Sequence, residues 1–370
     1  MNIFYEGRFL KGEYETKDGI ITDVRILGEE DENDPDYLLP GFVDIHSHGR
    51  TGNDFSFADD EEVSKLAASY ASRGVTSVLA TTMTNEPARV ERSIEAAGRA
   101  ADRGPVGNEA RILGIHMEGP FLGRDKKGAH DENFLCEFDK IWLDKIIEKS
   151  NNNVKIISVD PNLRGSEDFI SEYAKRGIVI SLAHTSANYE TAVKAVNAGA
   201  DHVTHLFNAM NPLNHRAPGL IGAAFDRRLF SELICDGIHV DPTLIRMWFT
   251  LMADRMIIIS DSMQAAGLKD GTYSLGGIDV FVKNGKAVQK DGTIAGSTTD
   301  VAAEVRNVIC FGVPREQAIL AATLNPARSV RAENCVGRIA KGCYADLLVT
   351  DKNLNIRNVI INGREIECII

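Results

Sequence analysis

Beyond residue 41 the chain repeats one pattern: a short, nearly unbroken apolar run, then a longer stretch with apolar positions every three to four residues. The apolar runs fall at 42–48, 76–82, 110–118, 154–160, 178–184, 202–207, 229–236 and 256–261. Helical periods lie between them, at 60–73, 88–101, 139–150, 166–176, 188–198, 218–226 and 241–254. Two more, 300–311 and 315–322, follow the last run. The stretch from Glu61 to Arg73 is typical: Val63, Leu66, Ala67 and Tyr70 share one face and charges occupy the other. Strands without polar alternation are those covered on both faces, as in a parallel sheet wrapped by helices. Eight such strands alternating with helices predict an α/β fold, a (β/α)8 TIM barrel.

Two regions break the alternation. Residues 1–39 carry β-like pieces at Ile3–Tyr5, Arg8–Leu10, Gly19–Val24 and Tyr37–Leu39, with a charged run between the last two. Residues 335–370 return to β character at 337–339, 345–350, 356–361 and 365–370, the last pair joined by an Asn362-Gly363 turn. The expected organisation is a small β-sandwich domain built from 1–40 and 335–370, and a barrel over 41–334. Residues 272–288 alternate as a hairpin does, turning at Lys283-Asn284-Gly285-Lys286, so a β-hairpin insertion is expected there.

Length and composition agree with this picture: 370 residues, 44% hydrophobic and 25% charged, suit a large soluble barrel with an appendage. The net charge of −12 argues against general nucleic-acid or anionic-membrane binding, though not against an anionic substrate met by a local positive pocket. No apolar run approaches the ~20 residues of a membrane span, and the first residues do not read as a signal peptide. Six scattered cysteines (Cys136, Cys235, Cys310, Cys335, Cys343, Cys368), with no Cys-x-x-Cys, are expected as reduced thiols in a cytoplasmic protein.

Chemistry-bearing residues collect where barrel active sites lie, at the carboxyl ends of the strands. The first run ends in His46-Ser47-His48, whose period of two puts both imidazoles on one face. Later runs end in Glu118, His184, His205 and Asp261. Each alone has a plain structural explanation, as His116 and His202 do; their joint placement points to one centre. Glu118, His184 and His205 suit a borderline divalent ion with open positions, which acidifies water and polarises a carbonyl. Asp261 is the natural proton shuttle, from water to a departing amine, which indicates hydrolysis of an amide or related bond. There is no Gly-x-Ser-x-Gly elbow and no evident Cys–His pair, so a protein nucleophile is not favoured.

Several segments together resemble the N-acetylglucosamine-6-phosphate deacetylases of the metal-dependent amidohydrolase superfamily. They are Pro40-Gly41-Phe42-Val43-Asp44, His116-Met117-Glu118-Gly119-Pro120-Phe121, Gly128-Ala129-His130 and Thr204-His205-Leu206-Phe207-Asn208-Ala209-Met210. Asp236-Gly237-Ile238-His239, Ser260-Asp261 and Asn325-Pro326-Ala327 complete the set. The resemblance implies Glu118, His184 and His205 as metal ligands, Asp261 as catalytic acid/base, and His130 beside the acetamido carbonyl. It implies sugar contacts at Ala129, Asn208, Ala209 and His239, a pocket lining at Ile294-Ala295-Gly296, and a phosphate contact at Arg216. Arg216 read on its own is a surface charge, and the basic group Arg124, Lys126 and Lys127 is either a phosphate attractor or a solvated loop. Members with His-x-His can hold a second ion, here on His46 and His48 with Glu118 bridging. The implied cofactor is thus one or two divalent ions per subunit, zinc or iron first, manganese or cobalt next. The implied partner is a phosphorylated amino sugar, and the implied assembly a homodimer. Rival expectations are the galactosamine epimer, another N-acyl substrate, or a non-catalytic scaffold of amidohydrolase shape.

Overall fold

The computed structural model describes residues 1–366. Four strands come first: β1 (Asn2–Tyr5), β2 (Arg8–Lys17), β3 (Ile20–Glu29) and β4 (Tyr37–Pro40). The barrel opens with β5 (Phe42–Ser47), a small ribbon of β6 (Gly49–Arg50) and β7 (Asn53–Asp54), and α1 (Asp60–Ala71). It continues through β8 (Val75–Thr82), α2 (Pro87–Arg103), β9 (Arg111–Glu118), α3 (Lys140–Lys149), β10 (Val154–Val159) and α4 (Ser166–Lys175). Then come β11 (Val179–Leu182), α5 (Tyr189–Ala198), β12 (His202–Val203), α6 (Gly219–Asp226), β13 (Phe230–Leu233), α7 (Pro242–Met252) and β14 (Met256–Ile258). A meander of β15 (Gly271–Leu275), β16 (Ile278–Lys283) and β17 (Lys286–Val288) precedes α8 (Val301–Cys310), α9 (Arg315–Ala322) and α10 (Leu324–Ser329). The last strands are β18 (Leu347–Thr350), β19 (Ile356–Ile361) and β20 (Arg364–Ile366).

The eight barrel strands form one parallel sheet in the order β14-β13-β12-β11-β10-β9-β8-β5. The seam between β14 and β5 is drawn shut just past the strand ends. Asp261 N–H donates to the His46 carbonyl at 2.9 Å, and the N–H groups of His48 and Gly49 donate to the Ser262 carbonyl at 2.9 and 3.0 Å. Helix α1 starts where the sequence signals it: Asp59 accepts from Glu62 N–H at 2.9 Å while Glu62 accepts from Asp59 N–H at 3.1 Å. Its Val63, Leu66, Ala67 and Tyr70 are buried, as their spacing predicts.

Strands from both termini share a seven-stranded sheet, β20-β19-β18-β4-β1-β2-β3, the small β domain expected from the sequence. Its alternation is clean. Phe4, Tyr37, Leu39, Leu348, Val359 and Ile361 join the barrel's core, while Ile3, Leu38, Leu347 and Ile360 build a second, smaller one. The β2–β3 hairpin closes that second core by folding back onto the end of the chain. Ile21 N–H donates to the Cys343 carbonyl and Ala345 N–H to the Gly19 carbonyl, each at 2.8 Å.

Three local expectations differ from the structure. Residues 337–339 are a turn, not a strand: Gly337 has φ +79° and lies where a Cβ would stand 2.6 Å from the Thr323 carbonyl oxygen. Strands β2 and β3 run longer than predicted: their outer halves pair with each other in a largely solvent-exposed ribbon, with no buried face to give the sequence a strand pattern. The insertion has a third strand, β15, paired to β16 ahead of the predicted Lys283–Lys286 turn. The strand expected over 365–370 is described only to Ile366; Cys368 lies outside the described residues. Among the described residues the cysteines are free thiols, and no helix is long and apolar enough to cross a membrane.

Candidate active site and metal centre

The side chains singled out at the strand ends converge. Glu118 closes β9, while His184, His205 and Asp261 each stand two or three residues past their strands, at φ +42°, +30° and +46°. Left-handed backbone at three non-glycine residues costs energy at each. The bend it makes turns each side chain inward, over the mouth of the barrel.

Glu118 is the hub. One carboxylate oxygen lies 2.9 Å from His205 Nε2 and 3.1 Å from His184 Nε2. The other lies 3.3 Å from both His48 Nε2 and His130 Nε2. Asp261 Oδ1 is 3.1 Å from His48 Nε2 and 3.6 Å from His46 Nε2. Burial works to raise the Glu118 and Asp261 carboxyls, but the surrounding imidazoles outweigh it and hold both below the usual carboxylate range. For His46 burial works downward, yet Glu232, Glu118 and Asp261 together lift it to about 9. Burial wins at His130, lowered to about 4, so that ring is neutral at pH 7.

The donor set fits a divalent cation, on two observations. His184 Nδ1 lies 2.7 Å from the Lys126 carbonyl and His46 Nδ1 lies 2.8 Å from Glu232. With no ion bound, His46 at about 9 keeps both ring protons at pH 7; in the neutral form that ligation requires, Nδ1 of each ring would carry the proton and Nε2 would present a lone pair. Those nitrogens gather with others, His184 Nε2 standing 3.1 Å from His205 Nε2 and His46 Nε2 standing 3.3 Å from His48 Nε2, all round the Glu118 carboxylate. Imidazole nitrogens collected on a buried carboxylate suit a borderline metal. His46, His48 and Glu118 form one possible ligand group, and Glu118, His130 and His184 another.

A cavity of about 540 Å³ opens over this cluster. His48, Glu118, His130, His184, His205 and Asp261 lie at its base; Ala129, Asn208, Ala209, His239, Ile294, Ala295 and Gly296 line the walls. Arg124, Lys126 and Lys127 stand along it, so the suspected basic group is part of the pocket. Arg124 is committed to the carbonyls of Glu132 and Leu135, which leaves the two lysines as the cations nearest a ligand. His239 is held by Asp236, with Nδ1 2.8 Å from the carboxylate. Arg216 does not line the cavity; it is exposed in the loop before α6.

Sequence reasoning missed the groups that hold this arrangement from behind. Asp44, fully buried, accepts from Ser260 Oγ at 2.5 Å and from His46 N–H at 3.4 Å, tying β5 to the segment that carries Asp261. His116 spans Ile45 and Ser158, at 3.0 Å from the carbonyl and 2.8 Å from the hydroxyl; it is the satisfied structural histidine of the plain reading. Glu232, fully buried on β13, touches His46. A carboxylate inside a strand expected to be covered on both faces was the available signal.

A family model described as "Amidohydrolase family" matches residues 37–366. An N-acetylgalactosamine-6-phosphate deacetylase from Escherichia coli O157:H7 is 33% identical over 94% of this chain and 92% of its own length. An N-acetylglucosamine-6-phosphate deacetylase from Vibrio furnissii is also 33% identical, over 88% of this chain and 82% of its own. Among solved structures, a variant N-acetyl-D-glucosamine-6-phosphate deacetylase from Mycobacterium smegmatis, in complex with N-acetyl-D-glucosamine-6-phosphate, superposes with a TM-score of 0.91 at 30% identity. That match covers 98% of this chain and 97% of the other. Barrel, strand-end cluster and likeness over nearly the whole length agree, and the chain belongs to the amidohydrolase family.

Proposed function

We propose that the protein hydrolyses N-acetyl-D-glucosamine 6-phosphate to D-glucosamine 6-phosphate and acetate, a step of amino-sugar breakdown. The observation that carries the reading is the Glu118–His184–His205 cluster with Asp261 beside it, at the base of a cavity large enough for a sugar phosphate. It is supported by relatives named for this reaction on sugars of this class.

In this reading Glu118, His184 and His205 would hold a divalent ion, and His46 and His48 would supply ligands for a second. Bound there, zinc or iron (manganese or cobalt in the same class) would polarise the amide carbonyl and acidify water. The remaining work belongs to the chain. Asp261, kept ionised, takes a proton as water adds to the carbonyl carbon. His130 meets the oxygen as it becomes negative: its Nδ1 accepts from Thr84 N–H at 3.4 Å, so Nε2 carries the proton, at the base of the cavity 3.3 Å from Glu118. Asp261 then returns its proton to the amine nitrogen as the C–N bond breaks, giving acetate and the free amino sugar. Ala129, Asn208, Ala209, His239 and Ile294-Ala295-Gly296 hold the sugar; the phosphate goes to Arg216, which must reach in from its exposed loop, with Lys126 and Lys127 on the cavity wall as the alternative.

A second reading, the galactosamine epimer, is favoured by the Escherichia coli relative of equal identity. Acetate release from both 6-phosphates by the zinc-loaded protein tests the two. Failure on both sugars removes the deacetylase reading, and preference for the galactosamine sugar transfers it to the second. The proposal includes a cytoplasmic homodimer, checked by light scattering, whose subunits divide into residues 1–40 with 335–370 and a barrel of 41–334.

A further inference from the structure

Glu232 touches both sides of the centre from behind the pocket. It is fully buried on β13, and the ring nitrogens nearest its carboxylate are His46 Nδ1 at 2.8 Å and His202 Nε2 at 3.2 Å. The oxygen that faces His46 also accepts the backbone N–H of His205 at 3.2 Å. A single oxygen therefore fixes the side chain of one candidate ligand and the main chain of another, the latter at its left-handed φ of +30°.

The consequence for His46 follows from where its proton can go. With Glu232 accepting at Nδ1, the neutral ring must offer a lone pair at Nε2. Without that acceptor, Nδ1 is stranded in the barrel wall, and the proton gains by moving to Nε2. There Asp261 Oδ1 and Glu118 Oε1 stand 3.6 and 3.8 Å away and His48 Nε2 stands 3.3 Å away, all able to accept it. A ring protonated at Nε2 is no ligand. His184 has its own acceptor, the Lys126 carbonyl, and does not depend on Glu232.

We infer that Glu232 is a positioning residue which fixes the His46 tautomer and so makes the His46–His48 side of the centre able to hold an ion, leaving the His184–His205 side to stand without it. The inference rests on the two-ion reading above for its metal readout, but not for its proton readout. The test compares wild type with Glu232→Leu, Glu232→Gln and, as marker, His46→Gln. In the metal-free proteins the His46 Nδ1–H should give a slowly exchanging downfield proton resonance, present in wild type, kept in Glu232→Gln, and absent in Glu232→Leu and His46→Gln. Zinc titration should show the more weakly held equivalent lost or weakened ~10–100-fold in Glu232→Leu, with recovery in Glu232→Gln. The first equivalent should keep its affinity throughout. A Glu232→Leu protein that retains the resonance, or binds both equivalents as wild type does, overturns the inference. If wild type itself takes one equivalent, the two-ion reading fails and the resonance alone decides. Circular dichroism checks the fold; should the leucine variant not fold, Glu232→Ala replaces it.

Discussion

Asp261 and His130 flank Glu118, and their surroundings drive their protonation in complementary directions: the carboxyl is held ionised, the imidazole neutral. A base and a hydrogen-bond donor at pH 7 are what amide hydrolysis asks of those positions. Asp261→Asn should keep fold and metal content while kcat falls by ~10²–10⁴-fold, measured by acetate release. Near-normal turnover would assign proton transfer elsewhere. Arg216→Ala should raise KM for the 6-phosphate sugar far more than for free N-acetylglucosamine. A matching effect on both would return Arg216 to an ordinary surface charge and leave the phosphate to Lys126 and Lys127, which do line the cavity. The groups readable in the sequence at this scale are those that end a strand with an unusual side chain, His46, His48, Glu118, His184, His205 and Asp261. Glu232 and Asp44 stand out only as carboxylates inside apolar runs; what they hold was not readable, because their partners lie 186 and 216 residues away.

Between elements, the docking of α8 depends on a carboxyl without a cation. Glu304 is fully buried, accepts the Cys235 N–H at 2.9 Å, and has no hydrogen-bond partner at its second oxygen. Burial, with Asp236, Asp44 and Asp300 nearby, pushes it well above the usual range, the Cys235 contact offsetting only part. The folded protein thus keeps a proton that the unfolded chain releases above about pH 4.3. Unfolding then releases that proton, so this contribution falls as pH rises, by about 1.4 kcal/mol per pH unit while the folded carboxyl stays protonated. Glu304→Gln should gain melting temperature relative to wild type progressively as pH rises above about 5. A difference independent of pH would mean that Glu304 ionises in place. The elements themselves were well signalled, because continuous apolar runs and capped amphipathic helices have local causes. Residues 337–339 were not: Gly337 is shaped by the Thr323 carbonyl of the preceding helix pair, a neighbour no local pattern reveals.

For the whole molecule, barrel and terminal sheet are joined by more than apolar contact. Arg111, leading into β9, reaches Asp346 at 3.2 Å and Asn362 at 2.7 Å and lies over the Tyr344 ring at 3.4 Å. The barrel was readable from its repeat. The sharing of one sheet by both ends was suggested by the β-rich head and tail, but strand order was not, since pairing over 300 residues leaves no local mark. Deleting residues 341–370 should therefore give an insoluble product rather than a smaller working barrel, seen as loss of the soluble fraction on expression. A soluble and active product would mean that the sheet is dispensable. That shared sheet also sets a schedule for the newborn chain. β4 follows soon after β1, which pairs with it, but its other neighbour, β18, is made about 300 residues later. At ~5–20 residues per second, Leu38 and Leu39 stay on an open edge for on the order of tens of seconds during translation. The protein is at its most vulnerable to wrong pairing before β18 leaves the ribosome, and holding that edge closed is the work a chaperone would have to do for it.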